Sequence, residues 1–163
     1  MLLMGDWKNT KMIIRKYRKE DAKAVCEIIK LNDLKVTSKD YPKKLIKVWI
    51  KGDTPEWIEK ISNKTKCFVL IEKKKVIGYI SLKKNEINKL FIHPSYQGKG
   101  YGKKLMDKAI SIVRRRGVKT IKLYSNLGAK GFYSKCGFNM IKKVRRSSNG
   151  VNYYCFLMKK KIE

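Results

Sequence analysis

The stretch HPSYQGKGYGKKLM, residues 93–106, places three glycines at every second position (Gly98, Gly100 and Gly102) directly before an apolar helical pattern. Glycine adopts backbone conformations closed to other residues and lets a ligand approach where a Cβ would stand. A helix start adds unpaired N–H donors and the positive end of the dipole, which together favour a phosphate. A turn that only reverses the chain is the competing reading, and short glycine motifs match by chance too often for this segment to decide alone.

Two other phosphate-binding loops fail on their own requirements. A dinucleotide fingerprint needs a βαβ unit and an acidic residue about 20 positions on; from Gly117 the chain reads GVKTIKLYS, with no carboxylate. A Walker loop needs G-x-x-x-x-G-K-[ST]. Gly98 has no glycine five residues later, and Lys103–Lys104 is followed by Leu105.

Around the loop the elements follow from periodicity. NEINKLFI (85–92) reads as a strand entering it. The helix after it carries Leu105, Met106, Ala109, Ile110 and Val113 on one face and stops at Gly117, with Arg114–Arg116 against its dipole. Upstream, KMIIRKY (11–17) predicts a strand, and KEDAKAVCEIIKLN (19–32) a helix spacing Ala22, Val25, Ile28 or Ile29, and Leu31. YPKKLIKVWI (41–50) and TPEWIEKIS (54–62) predict two short helices, the second with Thr54 as N-cap and Pro55 in its first turn. CFVLI and VIGYISL flank the charged turn EKKK as a hairpin, with a bulge expected at Gly78. VKTIKLYS predicts a strand and LGAKGFYSKC a short helix. A last hairpin turns at Asn149–Gly150. This order predicts an α+β fold: a mixed, mostly antiparallel sheet with helices on both faces, three layers in all. No repeat or linker divides residues 1–163, so one domain is expected.

Composition narrows the function. The chain is 43% hydrophobic, ordinary for a globular protein. No apolar run approaches the roughly 20 residues of a membrane span. The opening MLLMGDWKNT is too short and too polar at Asp6 for a signal peptide, so a cytoplasmic protein is expected. Cys26, Cys67, Cys136 and Cys155 are scattered, and His93 is the single histidine. That pattern argues against a zinc cluster and against a cysteine nucleophile, and no metal is expected. The charge stands out: 41 basic against 13 acidic residues, net +28. Such a field attracts RNA, DNA or phosphorylated ligands. Only seven of the basic residues are arginine, however, and the lysines spread over nearly every segment, as a general lysine bias would also produce.

Two motifs occur together. Gln97-Gly98-Lys99-Gly100-Tyr101-Gly102 fits Q/R-x-x-G-x-G/A, and NLGAKGFYSKCGF (126–138) fits N-x-x-A-x-x-F-Y-x-x-x-G-F through Asn126, Ala129, Phe132, Tyr133, Gly137 and Phe138. On these motifs the chain resembles the GNAT superfamily of acetyl-CoA-dependent N-acyltransferases, from about Ile13 to the final strand and least between Leu31 and Lys66. Cys136 departs from the pattern, where leucine is more usual.

The resemblance implies transfer of an acetyl group from acetyl-CoA to a primary amine. Main-chain N–H groups from Gln97 to Lys103 would cradle the coenzyme A pyrophosphate, with Lys99, Lys103 and Lys104 adding charge. Main-chain groups of Leu90, Phe91 and Ile92 would hold the pantetheine arm and polarise the thioester, and Asn126 would hydrogen-bond near it; a helix-capping role is the competing reading of Asn126. Tyr133 would be the acid that meets the departing thiolate; the competing reading is an aromatic core anchor. Glu86 lies eleven residues before Gln97, the spacing of the catalytic glutamate in the histone-acetylating branch. On an alternating strand it would share a face with Asn88, Leu90 and Ile92. It is the candidate base, with a water chain as the alternative and a solvated strand end as the bland reading. His93 is read as structural. The competing function is a basic nucleic-acid- or ribosome-associated module on the same fold. The charge disfavours polycationic acceptors and favours small, acidic or RNA-borne ones. Acceptor choice is expected to reside in residues 31–66 and the last hairpin.

Overall fold

The structure is a computed structural model that describes residues 12–163; the opening segment, with the signal-peptide reading placed on it, lies outside the described residues. Alternating residues along the central strands build two cores. Phe68 and Leu70 of β2 (Lys66–Glu72), with Ile80 and Leu82 of β3 (Lys75–Lys83), pack against Leu105, Met106, Ala109 and Val113 of α4 (Tyr101–Arg115). Cys67, Val69 and Tyr79 point the other way, against Val25, Cys26 and Ile29 of α1 (Ala22–Lys35) and Ile58 of α3 (Pro55–Ser62). The sheet is thus covered on both faces, as the sequence predicts.

Seven strands run in the order β1-β2-β3-β4-β5-β7-β6. The remaining strands are β1 (Ile13–Lys16), β4 (Glu86–Ile92), β5 (Thr120–Ser125), β6 (Asn139–Ser148) and β7 (Val151–Lys161). All neighbours are antiparallel except β4 and β5, which are parallel and pair only at Glu86–Lys122 and Ile87–Leu123. Beyond Ile87 the two strands part, and the β5-facing edge of β4 has no strand partner. Helices α2 (Lys43–Gly52) and α5 (Lys130–Lys135) flank this gap. Tyr41, Leu45, Ile46 and Trp49 dock α2 and the turn before it on Tyr153 of the last hairpin.

Several local expectations match. Thr54 Oγ1 accepts from Trp57 N at 3.2 Å as the N-cap of α3. Asn149 and Gly150 both take left-handed φ angles, 45° and 78°, at the tip of the β6–β7 hairpin. The β3 bulge falls where Gly78 marks it, with the register shifting between Leu70 and Ile71 of the partner strand. A Cβ at Gly78 would stand 2.7 Å from Ile92 Cδ1 and 3.1 Å from Leu105 Cδ1, so the glycine lets the end of β4 and the start of α4 close on the sheet.

Two expectations are corrected. Helix α1 continues to Lys35, and its buried face ends on Asn32 and Asp33, not on Leu31. Strand β4 carries an extra residue at Asn88, because Ile87 pairs with Leu82 but Lys89 pairs with Ser81. A bulge reverses the alternation. Ile87 therefore joins Leu90 and Ile92 on the α4 side, and Glu86 falls on the opposite face with Lys89 and Phe91.

The entry to α1 is pinned by a buried carboxylate. Arg15 Nη1 and Nη2 donate to Asp21 at 2.8 and 2.9 Å, and the Arg18 N–H adds a third bond at 2.8 Å. Burial alone would raise the Asp21 carboxyl; the Arg15 fork and the Arg18 N–H outweigh it and hold the group below its ordinary value. Asp21→Asn is expected to cost about 2 kcal/mol in urea unfolding at neutral pH, in line with charge-assisted hydrogen bonds. Because the folded value is the lower one, this contribution is present above the unfolded pKa and fades as pH falls through the folded one. The gap between wild type and variant should therefore narrow on acidification; a gap constant to pH 3 would assign it to packing.

Candidate active site

The parting of β4 and β5 opens a cavity of about 1270 Å³, above the roughly 300–1,000 Å³ of most small-molecule sites. One wall is β4 from Asn88 to Ile92; the start of α4, the residues after β5 with α5, the ends of α1 and α2, Trp57 of α3 and the β6–β7 hairpin form the rest. Leu90, Phe91, Ile92, Gln97, Gly98, Gly100, Tyr101, Gly102, Asn126 and Tyr133 all line it, so these ten expected site residues are brought to one place.

The three glycines serve two purposes. Gly98 and Gly100 have φ angles of 78° and 82°, which L side chains rarely adopt, and a Cβ on either would meet open space. Gly100 is also the N-cap of α4, so the free N–H groups of the first turn open beside it. Gly102 is different: a Cβ there would lie 3.0 Å from Phe132 Cζ, so its smallness seats the Phe132 ring.

Gln97 and Asn32 brace the loop. Asn32 Nδ2 donates to Ile92 O at 2.8 Å and Gln97 Nε2 to the same oxygen at 3.2 Å, while Gln97 Nε2 also reaches Asn32 Oδ1 at 2.8 Å. The Gln97 side chain therefore ties α1, β4 and the loop together, and Ile92 O is already satisfied by protein donors. Tyr101 is tethered through its hydroxyl to the Glu72 carboxylate.

Tyr133 packs edge-on against Phe132 and Phe138, with centroids at 5.1 and 6.1 Å. Burial raises its pKa, and the neighbouring Cys136 thiol adds to the rise, so the hydroxyl keeps its proton throughout the working range of pH. Asn126 precedes the single turn 127–129 but makes no capping bond with its side chain, which removes the capping explanation for it.

Four expected site residues lie elsewhere; one of them, Lys104, is exposed on α4 outside the cavity wall. Lys99 sits over the Tyr96 ring at 5.3 Å. Lys103 pairs with Asp107 at 3.1 Å on the exposed side of α4. Neither is part of the cavity wall. Glu86 stands at the far end of β4, next to Lys83 and Lys122 across the ladder, six residues from Ile92 and so roughly 20 Å along the strand. The expectation that it shares a face with Leu90 and Ile92 fails because of the bulge at Asn88.

The sequence missed what α1 and the end of α2 contribute. Asp33 and Asp53 line the cavity although only 4% and 6% exposed, and Lys89, which feels the charge of both, stands over the ring of Trp57, 4.7 Å from its centroid. The available signal was Asn32–Asp33 on the apolar face of an amphipathic helix, where polar residues need a reason. Among the described residues no cluster of three or more His, Cys, Asp or Glu could hold a metal, and no helix is long and apolar enough to cross a membrane.

A helix start built to meet phosphate, a free strand edge and a protonated phenol in one cavity suit a phosphate-bearing donor held along β4. Comparison with known proteins gives this geometry its class. Residues 31–138 match the family described as the acetyltransferase (GNAT) family. An N-acetyltransferase of uncharacterized function from Escherichia coli K12, YafP, is 26% identical over 148 residues, covering 91% of this chain and 95% of its own. A GCN5-related N-acetyltransferase from Rhodopseudomonas palustris superposes with a TM-score of 0.88 at 23% identity, over 93% of this chain and 96% of that one. The PaiA N-acetyltransferase of Thermoplasma acidophilum, solved in complex with coenzyme A, gives 0.75 at 25% identity, over 93% and 99%. The chain belongs to the acetyltransferase (GNAT) family, and it is an enzyme of the acyltransferase class.

Proposed function

We propose that this chain, as one domain, moves an acetyl group from acetyl-CoA directly to a primary amine. The observation that carries the reading is the convergence of the unpaired β4 edge, the glycine-capped start of α4 and the Tyr133 hydroxyl on one cavity. The coenzyme A bound to PaiA supports the choice of donor.

Each part of the site answers a demand of the reaction. The N–H groups of residues 98–103 meet the pyrophosphate, and the dipole of α4 adds to them. The β4 edge at Leu90–Phe91 holds the pantetheine arm and donates to the thioester oxygen as negative charge develops there. Asn126 orients the arm from the β5 side. The amine nitrogen attacks the carbonyl carbon, the C–S bond breaks, and the Tyr133 hydroxyl meets the departing sulfur. With its pKa raised by burial, Tyr133 acts as a relay: it gives its proton to the thiolate as it recovers one from the attacking nitrogen.

Incubation with acetyl-CoA and a panel of amines, read by release of free thiol, tests the proposal. The panel spans amino acids, aminoglycosides, polyamines, peptide N-termini and aminoacylated RNA. Thiol release dependent on one amine class, with an acetylated product, is expected. Release that no amine accelerates would contradict it.

The net charge of +28 supports a separate association with RNA or DNA. Binding to a 30-nucleotide RNA is expected to fall at least tenfold between 50 and 200 mM salt, while turnover of a small neutral amine changes little. No binding at 50 mM would leave the lysines as composition alone.

A further inference from the structure

The acceptor end of the cavity contains a group of charges that the reaction as derived so far does not use. Asp33, near the end of α1, and Asp53, just after α2, place their carboxyl groups together, both more than nine-tenths buried. Apart from each other, they have the Thr37 hydroxyl, which faces Asp33, and no basic side chain of the described residues forms an ion pair with either. Lys89 approaches from β4 on the same face, with its ammonium over Trp57. Lys89 acts on both carboxyls but forms an ion pair with neither, so two buried acids face one buried ammonium; such an imbalance is costly, and a purely structural site would be apolar or fully paired. Here the pair lines the cavity that also holds Tyr133.

We infer that the Asp33–Asp53 pair is the proton acceptor for the incoming amine, and that the acceptor is a compact monocationic amine seated between the pair and the aromatic wall. This rests on the acetyl-transfer reading. Lys89 shows what the site offers a cation: burial pulls its pKa below the ordinary value, but Asp53 and Asp33 oppose that pull and the Trp57 face lies 4.7 Å from its nitrogen. Trp49, Phe91 and Tyr153 line the same cavity and extend its aromatic character.

The protons balance. An ammonium R–NH₃⁺ loses one proton to the ionised carboxylate of the pair, which later releases it to solvent. The nitrogen lone pair forms the N–C bond at the thioester carbon. As the adduct collapses, the C–S bond breaks and the second nitrogen proton reaches sulfur through Tyr133, leaving the acetamide and the free thiol of coenzyme A. The pair is suited to hold such a proton. Burial, with Asp53 adding to it against the pull of Lys89 and Thr37, raises Asp33 to about 7. Burial also raises Asp53, opposed by Lys89, Asp33 and Lys30. Cys26 is the remaining titratable neighbour, its thiol bonded to Asp53 O.

The test uses two probe amines: 2-phenylethylamine, an ammonium at neutral pH, and hydroxylamine, already neutral there. With 2-phenylethylamine at pH 7, Asp33→Asn and Asp53→Asn are each expected to lower kcat/KM by about 10²–10³-fold, the scale of a lost general base. The loss should shrink as pH rises and the amine deprotonates unaided. With hydroxylamine the same variants should lose only a few-fold, and the thermal shift given by coenzyme A should be kept. Equal losses for both amines at every pH, or a larger loss in Glu86→Gln than in either aspartate variant, would overturn the assignment. Wild type that shows the coenzyme A shift but acetylates neither probe would overturn the acceptor class and leave the donor site standing. Wild type without the shift would fail the acetyl-transfer reading itself. Misfolding is checked by stability: with the Asp33 carboxyl raised in the folded state, wild type loses stability as pH rises from the ordinary carboxyl value of 3.8 to about 7. Asp33→Asn escapes that loss and should melt above wild type at pH 8.

Discussion

Tyr133→Phe is expected to slow the chemical step by roughly one to three orders of magnitude while leaving the fold and coenzyme A affinity nearly intact. Phenylalanine keeps the ring, and with it the edge-on contacts to Phe132 and Phe138; only the hydroxyl is lost. No described residue hydrogen-bonds that hydroxyl, so its removal leaves no protein group unpaired. A free phenol titrates near 10, and burial raises this one, so the group stays a proton donor at every pH at which the enzyme would work. In a desolvated cavity, a lost transition-state donor of this kind costs up to about 10³ in turnover. The KM for acetyl-CoA should move little, because the contact to sulfur forms mainly as the thioester breaks. Single-turnover thiol release separates the outcomes. A wild-type rate in the chemical step would make Tyr133 a packing residue.

Gly100→Val is expected to abolish coenzyme A binding. Its Cβ would meet no protein atom, so there is no clash to relieve; the effects are backbone strain and a branched side chain placed where the loop opens. A non-glycine residue at a left-handed φ costs about 1–3 kcal/mol, a loss the folded apo protein should tolerate. At coenzyme A a hundredfold above its Kd, wild type should gain about 2.7 kcal/mol of stability, and the variant none. An undiminished shift in Gly100→Val would remove the loop from the site. Gly102→Ala is the contrast, because there the consequence is displacement of the Phe132 ring.

The sequence was most informative where local chemistry dictates geometry. Glycines at 98 and 100 demand left-handed backbone, and the structure has it. Asn149–Gly150 forms a hairpin turn, and alternating apolar residues on β2 and β3 supply two cores. Alternation misled at Glu86, because one extra residue at Asn88 turns the strand over and nothing in the local composition announces it. Charge alone points Lys99 and Lys103 at the phosphates, and their flexible side chains rest on Tyr96 and Asp107 instead. The buried carboxyl pair was illegible for a different reason. Asp33, Asp53, Trp57 and Lys89 come from four separate elements, and only tertiary packing brings them together. Helical periodicity flagged Leu31 for the core, whereas Asn32 was needed there to hold Ile92 O.

Amide hydrogen exchange with and without acetyl-CoA tests the central claim most directly, because it reads the main-chain groups said to hold the donor. Slower exchange is expected at residues 98–104 and on the β5-facing edge of β4 from Asn88 to Phe91, with no change in β1 or the outer edge of β6. Protection confined to other segments, or none at saturating acetyl-CoA, would contradict the placement of the donor between β4 and β5.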